Sequence, residues 1–132
     1  MSLPERRVFA DTDALVQALA DAVCAEAASA IAARGAFHLV LAGGTTPRAL
    51  YAELARRGAG DARWHIWYGD ERCLPADHPE RNSVMAEQAW LAAAHIPPQN
   101  RRPIPAERGA AAAAAAYAAW LEDVPDFDVV LL

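Results

Sequence analysis

Two short apolar runs, Phe37–Leu41 and Trp64–Tyr68, most constrain what this chain can fold into. Each has five residues, is apolar apart from one histidine, and is followed within two residues by glycine. Runs this short, rich in aromatic and branched residues, predict buried strands rather than buried helices. The segments around them have helical spacing, and alternating strands and helices predict a parallel sheet. We therefore predict an α/β fold with three α/β/α layers and a doubly wound, mainly parallel sheet.

Helix boundaries follow from the capping residues. Asp11 or Thr12 can cap the first helix, and Gly35 stands where a helix-ending glycine belongs. Thr46 and Pro47 are typical of the N-cap and the first helical position, so they predict the start of a second helix that runs to Gly58. Two further helices are predicted: the third of the chain over residues 84–94, capped by Asn82 or Ser83, and the fourth over residues 107–121. Two further strands are predicted over residues 7–9 and 127–132.

The last predicted strand, residues 127–132, has the composition of a central strand buried on both faces. In doubly wound folds, ligands bind beyond the carboxyl ends of such strands. A site loop is therefore expected directly after this strand. We predict one α/β domain over residues 1–132 that is incomplete at its C-terminus.

Charge and composition exclude several function classes. The net charge is −5, which argues against binding to a nucleic-acid backbone. All 12 basic residues are arginines, which excludes a Schiff-base or Walker-type lysine in these residues. We expect no membrane-spanning segment, no metal-ligand cluster and a cytoplasmic protein. Cys24 and Cys73 are expected to be inert thiols.

Gly43, Gly44, Thr45 and Thr46 connect the first buried run to a helix. Two glycines let the backbone approach a ligand closely, and the helix start adds N–H donors, so the segment suits a phosphate. A plain strand-to-helix turn capped by threonine remains the alternative interpretation.

Asp70, Glu71 and Arg72 follow the second buried run. The arginine can hold an oxyanion or a phosphate, and Asp70 can orient water or a sugar hydroxyl. A surface ion pair is the alternative. His78 lies in what is expected to be an exposed capping loop, whereas His38, His65 and His95 are expected to be structural.

These motifs, with the Asp77-His78-Pro79 and Asn82-Ser83 segments and residues 128–132, resemble the glucosamine-6-phosphate isomerase/6-phosphogluconolactonase family in order and spacing. The resemblance covers nearly the whole chain. The Asp-Glu-Arg triplet favours the lactonases, because the deaminases usually have an aromatic residue where this chain has Arg72.

The resemblance implies hydrolysis of 6-phospho-D-glucono-1,5-lactone in the oxidative pentose phosphate pathway, without metal or organic cofactor. Gly43, Gly44, Thr45 and Thr46 would line the substrate and phosphate pocket. Arg72 would bind substrate and stabilise negative charge, and Asp70 would help to position it. The partner would be a small sugar-phosphate lactone, and the protein a monomer or weak homo-oligomer.

One part of the family pattern is missing from these residues. The general base of the family is a histidine in a Gly-x-Gly-x-Asp-Gly-His segment after the Asp-Val-Val-Leu-Leu strand, and none of the four histidines matches it. Two alternatives stay open: an amino-sugar-phosphate deaminase or isomerase, and a non-catalytic sugar-phosphate sensor domain.

Overall fold

Three parallel strands form the centre of the structure, a computed structural model that describes residues 2–124 and 126–132. The strands are β1 (Phe37–Leu41), β2 (Trp64–Tyr68) and β3 (Val129–Val130), and β1 lies between the other two. The helices are α1 (Thr12–Arg34), α2 (Thr45–Arg56), α3 (Asn82–Ala86, continued by a π-helical turn over Glu87–Leu91) and α4 (Ala110–Leu121). Short 3-10 turns cover Pro98–Asn100 and Ala106–Arg108.

The two faces of the sheet pack against different helices. Leu39 of β1 and Ile66 of β2 are fully buried in the larger core, together with residues of α1, α2 and the π-helical turn. On the opposite face, Val40 and Trp67 pack against Tyr117 of α4, whose ring centroid lies 5.9 Å from that of Trp67. Helices thus cover both faces of a parallel sheet, and the predicted three-layer, doubly wound α/β fold is confirmed.

The first helix begins and ends where the sequence predicts. The Asp11 side chain accepts a hydrogen bond of 2.8 Å from the Ala14 amide, and Gly35, at φ 78°, donates its N–H to Ile31. By length and composition alone, α1 is long and apolar enough to cross a membrane, so the absence of a membrane-spanning segment stays a prediction. Core helices pass the same test, and α1 buries five small or branched residues against β1 and α2: Val16, Ala20, Val23, Ala27 and Ala30.

Two other helix starts differ from the prediction. The second helix begins at Thr45 with Gly44 as its N-cap, so Thr46 does not cap it and Pro47 is its third residue. Proline fits there because the first N–H groups of a helix have no intrahelical partner. That helix ends at Arg56. The fourth begins at Ala110, because the residues before it form a separate 3-10 turn.

The strand predicted over residues 7–9 does not form, and the one predicted over residues 127–132 forms in part. Residues 7–9 are exposed or half-buried and pair with no described strand. Of residues 127–132, Val129 and Val130 form β3 and lie in register with Leu39 and Val40, and the amides of Asp128 and Leu131 donate to β1 carbonyls. Among the described residues, β3 forms an edge of the sheet. Val130 is 47% exposed. Among the described residues, β1 is the strand with a neighbour on each side, and the central position of the last strand stays a prediction.

Candidate active site

A cleft of about 610 Å³ opens at the carboxyl ends of the three strands. This is the edge of a doubly wound sheet where ligands bind. Its walls are formed by the loops after β1 and β2, by the start of α3 and by the last two residues of the chain: Leu41, Ala42, Gly43, Gly44, Gly69, Asp70, Arg72, Asn82, Leu131 and Leu132.

The loop after β1 is held by the helix that it leads into. The Tyr51 hydroxyl on α2 donates to the Ala42 carbonyl at 2.6 Å and accepts from the Ala42 amide at 3.0 Å. Burial raises the pKa of Tyr51 well above its usual range, so the hydroxyl stays protonated. Gly44 has φ 108°, a left-handed conformation that favours glycine. These contacts place the backbone of Gly43 and Gly44 at the cleft.

Close packing explains the glycine at position 43. A Cβ atom on Gly43 would lie 2.1 Å from Oδ1 of Asn82, far inside contact distance. The two loops of the cleft therefore touch at this point, and the contact leaves no room for a side chain on the first of them.

The loop after β2 carries the two polar side chains predicted for the site. Asp70 and Arg72 are both exposed and both line the cleft. The Asp70 Oδ1 accepts a hydrogen bond of 3.0 Å from Nδ2 of Asn82, which also donates to the Asp70 carbonyl at 3.2 Å. Among the described residues, the Arg72 guanidinium has no hydrogen bond or ion pair. It is thus available to an anionic ligand.

Glu71, between these two residues, points away from the cleft, and its side chain is 0% exposed. Its carboxylate accepts from the amides of Asn82 at 2.7 Å and Ser83 at 2.9 Å. Glu71 therefore caps α3, which begins at Asn82 and not at residue 84. The prediction that the side chain of Asn82 or Ser83 caps this helix is wrong, since neither makes that bond.

The structure brings together four of the six predicted site residues. Gly43, Gly44, Asp70 and Arg72 line the cleft, whereas Thr45 and Thr46 are exposed on the first turn of α2 and do not. Sequence reasoning missed Asn82 as a cleft residue. The Asn-Ser pair at the start of α3 indicates only a helix cap, and the hydrogen bonds from Asn82 to Asp70 depend on tertiary structure.

The histidines lie outside this cleft. His38 and His65 stack at 4.6 Å on the sheet face that α4 covers in part, and burial lowers the pKa of both. The His38 Nδ1 accepts from the Trp67 indole at 3.1 Å. His78 is half-buried rather than exposed, and its ring accepts from a loop amide. None of these rings faces the lining described above.

Comparison with known proteins gives a consistent relationship. Residues 10–132 match the family described as glucosamine-6-phosphate isomerases/6-phosphogluconolactonase. A 6-phosphogluconolactonase of Nostoc sp. is 34% identical over 95% of this chain and 56% of its own length. One of Streptomyces coelicolor is 37% identical over 98% of this chain and 56% of its own length.

Solved structures share the fold. A crystal structure named devB protein superposes with a TM-score of 0.83 at 31% identity, covering 96% of this chain and 56% of that one. A monomeric glucosamine-6-phosphate deaminase gives 0.76 at 21% identity, covering 92% of this chain and 52% of that one, which shows the fold alone.

The chain spans about half the length of the curated relatives that it matches. Within that span, the match covers the strands, the helices and both loops of the cleft. On these grounds, the chain belongs to the glucosamine-6-phosphate isomerases/6-phosphogluconolactonase family.

Proposed function

We propose that the protein to which this chain belongs hydrolyses 6-phospho-D-glucono-1,5-lactone to 6-phosphogluconate in the oxidative pentose phosphate pathway. One observation carries the proposal: a single cleft gathers a glycine loop before a helix, a carboxylate and a guanidinium that pairs with none of the described residues. The names of relatives at 34% and 37% identity support it. We further expect a cytoplasmic enzyme that is a monomer or weak homo-oligomer and needs no metal or organic cofactor.

The cleft residues suit the charges of this reaction. Water attacks the lactone carbonyl carbon, the carbonyl oxygen becomes an oxyanion, and the bond from that carbon to the ring oxygen then breaks. A guanidinium stabilises an oxyanion through charge-assisted hydrogen bonds, and Arg72 is the cleft-lining residue that carries one. Asp70, held by Asn82, is suited to accept a hydrogen bond from a sugar hydroxyl.

The phosphate is assigned to the loop after β1. Gly43 and Gly44 present backbone rather than side chains to the cleft, and the first N–H groups of α2 have no partners within the helix. Thr45 and Thr46 would contribute through these backbone N–H groups, because their side chains lie outside the cleft lining.

The general base is expected from the histidine segment that the family carries after the third strand. Leu131 and Leu132 line the cleft, so residues that follow them would enter the cleft directly. That base would take a proton from the attacking water, and the ring oxygen would receive a proton as it leaves.

Lactone hydrolysis above the spontaneous rate tests the proposal. The full gene product carrying these residues is assayed with the 6-phosphorylated lactone, beside the 132-residue chain. We expect acceleration by the full product and none by the chain alone. Ammonia release from glucosamine 6-phosphate is measured in parallel. Ammonia release without lactone hydrolysis would replace this proposal with the deaminase, and binding without either reaction would replace it with a sensor.

A further inference from the structure

We propose that Glu71 is a positioning residue: from outside the cleft, it sets the Asp70–Asn82 pair that forms the polar wall of the site. The effect on catalysis rests on the proposed function, whereas the effect on the loop does not. Glu71 is the middle residue of the Asp-Glu-Arg triplet, and its two neighbours line the cleft while it does not.

The Glu71 carboxylate joins the two ends of the loop between β2 and α3. Its Oε1 accepts from the Arg72 amide at 2.9 Å and from the Asn82 amide at 2.7 Å, and its Oε2 accepts from the Ser83 amide. Asn82 lies 11 residues further along the chain. One buried side chain therefore fixes where the loop leaves the sheet and where it enters the helix.

The Arg81 guanidinium forms an ion pair with this carboxylate. Its side chain is 2% exposed, and its Nε lies 3.5 Å from Oε2 of Glu71. The rest of the guanidinium donates to the Leu74 and Ile104 carbonyls and to the Glu107 carboxylate. The Glu71–Arg81 pair is thus anchored both to its own loop and to the segment before α4.

Asn82 transmits this placement to the cleft. Its backbone is bound by Glu71, while its side-chain amide donates to both the Asp70 carbonyl and the Asp70 carboxylate. Its Oδ1 lies against Gly43 on the opposite loop. If the Asn82 backbone shifts, the Asp70 carboxylate loses its partner and the cleft wall moves.

A carboxylate suits the groups around Glu71, although Nε of Arg81, 3.5 Å away, is an ion-pair partner that makes no hydrogen bond with the described residues. The surroundings of Glu71 are three backbone N–H groups and a guanidinium, all of which are donors. A glutamine in the same place has one acceptor oxygen, and its NH₂ group would face donors. Glu71→Gln therefore removes the geometric role while it changes the volume of the side chain little.

Hydrogen exchange in the full gene product tests the positioning without any assay of activity. In Glu71→Gln, we expect amide exchange to rise by at least about tenfold at Asn82 and Ser83 and to remain unchanged in β1. The matched control is Glu53→Gln on α2, which also removes a carboxylate paired with arginines but lies outside the cleft. Unchanged exchange at Asn82 and Ser83 in Glu71→Gln overturns the proposal.

A double-mutant cycle in the same protein tests the route to the cleft. We expect Glu71→Gln and Asn82→Ala each to lower kcat/KM by about tenfold or more, and the double variant to lose no more than the worse single one. Glu53→Gln should keep the wild-type value. Losses that multiply in the double variant would mean that Glu71 does not act through Asn82.

Two outcomes separate this proposal from the proposed function. If the wild type has no lactonase activity but Glu71→Gln still raises amide exchange at Asn82 and Ser83, the positioning role is supported and the lactonase proposal is removed. If Glu71→Gln does not fold, Asn82→Ala decides alone. We then expect its kcat/KM to fall while the Asn82 and Ser83 amide positions stay protected, and a loss below about twofold contradicts the role.

Discussion

The loop after β1 is held within its own strand–turn–helix unit, whereas the loop after β2 is held by residues from distant parts of the chain. In the first, Tyr51 bonds Ala42 from nine residues away. At the second, the Tyr117 hydroxyl accepts from the amide of Tyr68, the last residue of β2 and 49 residues earlier, and Arg81 within the loop donates to Glu107.

This difference separates two tasks in the cleft. The first loop presents backbone, for which a local turn and a glycine in a left-handed conformation suffice. The second presents side chains whose directions must be fixed, so it uses buried polar contacts from several elements. We expect the loss of a contact within the first loop to remain local, except at Gly43 where that loop touches Asn82, and damage to the second loop to spread through the site.

The largest expected effect is the loss of the Arg72 guanidinium. Arg72→Ala should lower kcat/KM of the full gene product by about a hundredfold or more, as when an oxyanion donor is lost. Stability should change little, because the side chain is exposed and makes no bond with the described residues. Arg108→Ala, an exposed arginine outside the cleft lining, is the control. A loss below about threefold would contradict the role of Arg72.

Gly43→Ala tests the contact between the two loops. The new Cβ would displace the Asn82 side chain and break its bonds to Asp70, so we expect a cost of about 1–3 kcal/mol in stability and a loss of activity. Gly58→Ala, with φ 65° and open space around it, is the control, which should lose stability but not activity. Denaturation and kcat/KM are measured for both. Equal activity in the two variants would show that the loops are independent.

The two tyrosine hydroxyls give a matched pair of smaller effects. Tyr51→Phe removes both bonds to Ala42, and Tyr117→Phe removes the acceptor of the Tyr68 amide. Each should cost about 1–3 kcal/mol, because polar backbone groups lose their partners. Hydrogen exchange should rise around Ala42 in the first variant and at Tyr68 in the second. If amide exchange rises around both Ala42 and Tyr68 in either variant, the first loop is not supported by local contacts alone.

The same difference explains what could be predicted from the sequence. The bounds of β1 and β2 and the caps of α1 follow from apolar runs and from Asp11 and Gly35, which all act within a few residues. The position of the cleft could also be predicted, because parallel strands bring their carboxyl ends to one edge of the sheet. These features depend on local chemistry and on a topological rule.

What could not be predicted depends on contacts between distant residues. The start of α3 is set by Glu71, which no cap pattern next to the helix reveals. The cleft role of Asn82 depends on the same carboxylate. The short pairing of β3 depends on which strands lie beside it, and a composition typical of a central strand carries no information about that.

The smallest expected effect comes from a contact that belongs to neither loop. Asp11→Ala removes the cap of α1 and should cost about 1 kcal/mol of stability. Because Asp11 shares no partner with Tyr51, its cost should add to that of Tyr51→Phe, and kcat/KM should stay unchanged. Glu26→Ala, an exposed site within α1, is the control and should change stability by less than about 0.5 kcal/mol. A loss of activity in Asp11→Ala would mean that α1 also shapes the cleft. The residues that support the two cleft loops would then include α1, which packs against the sheet.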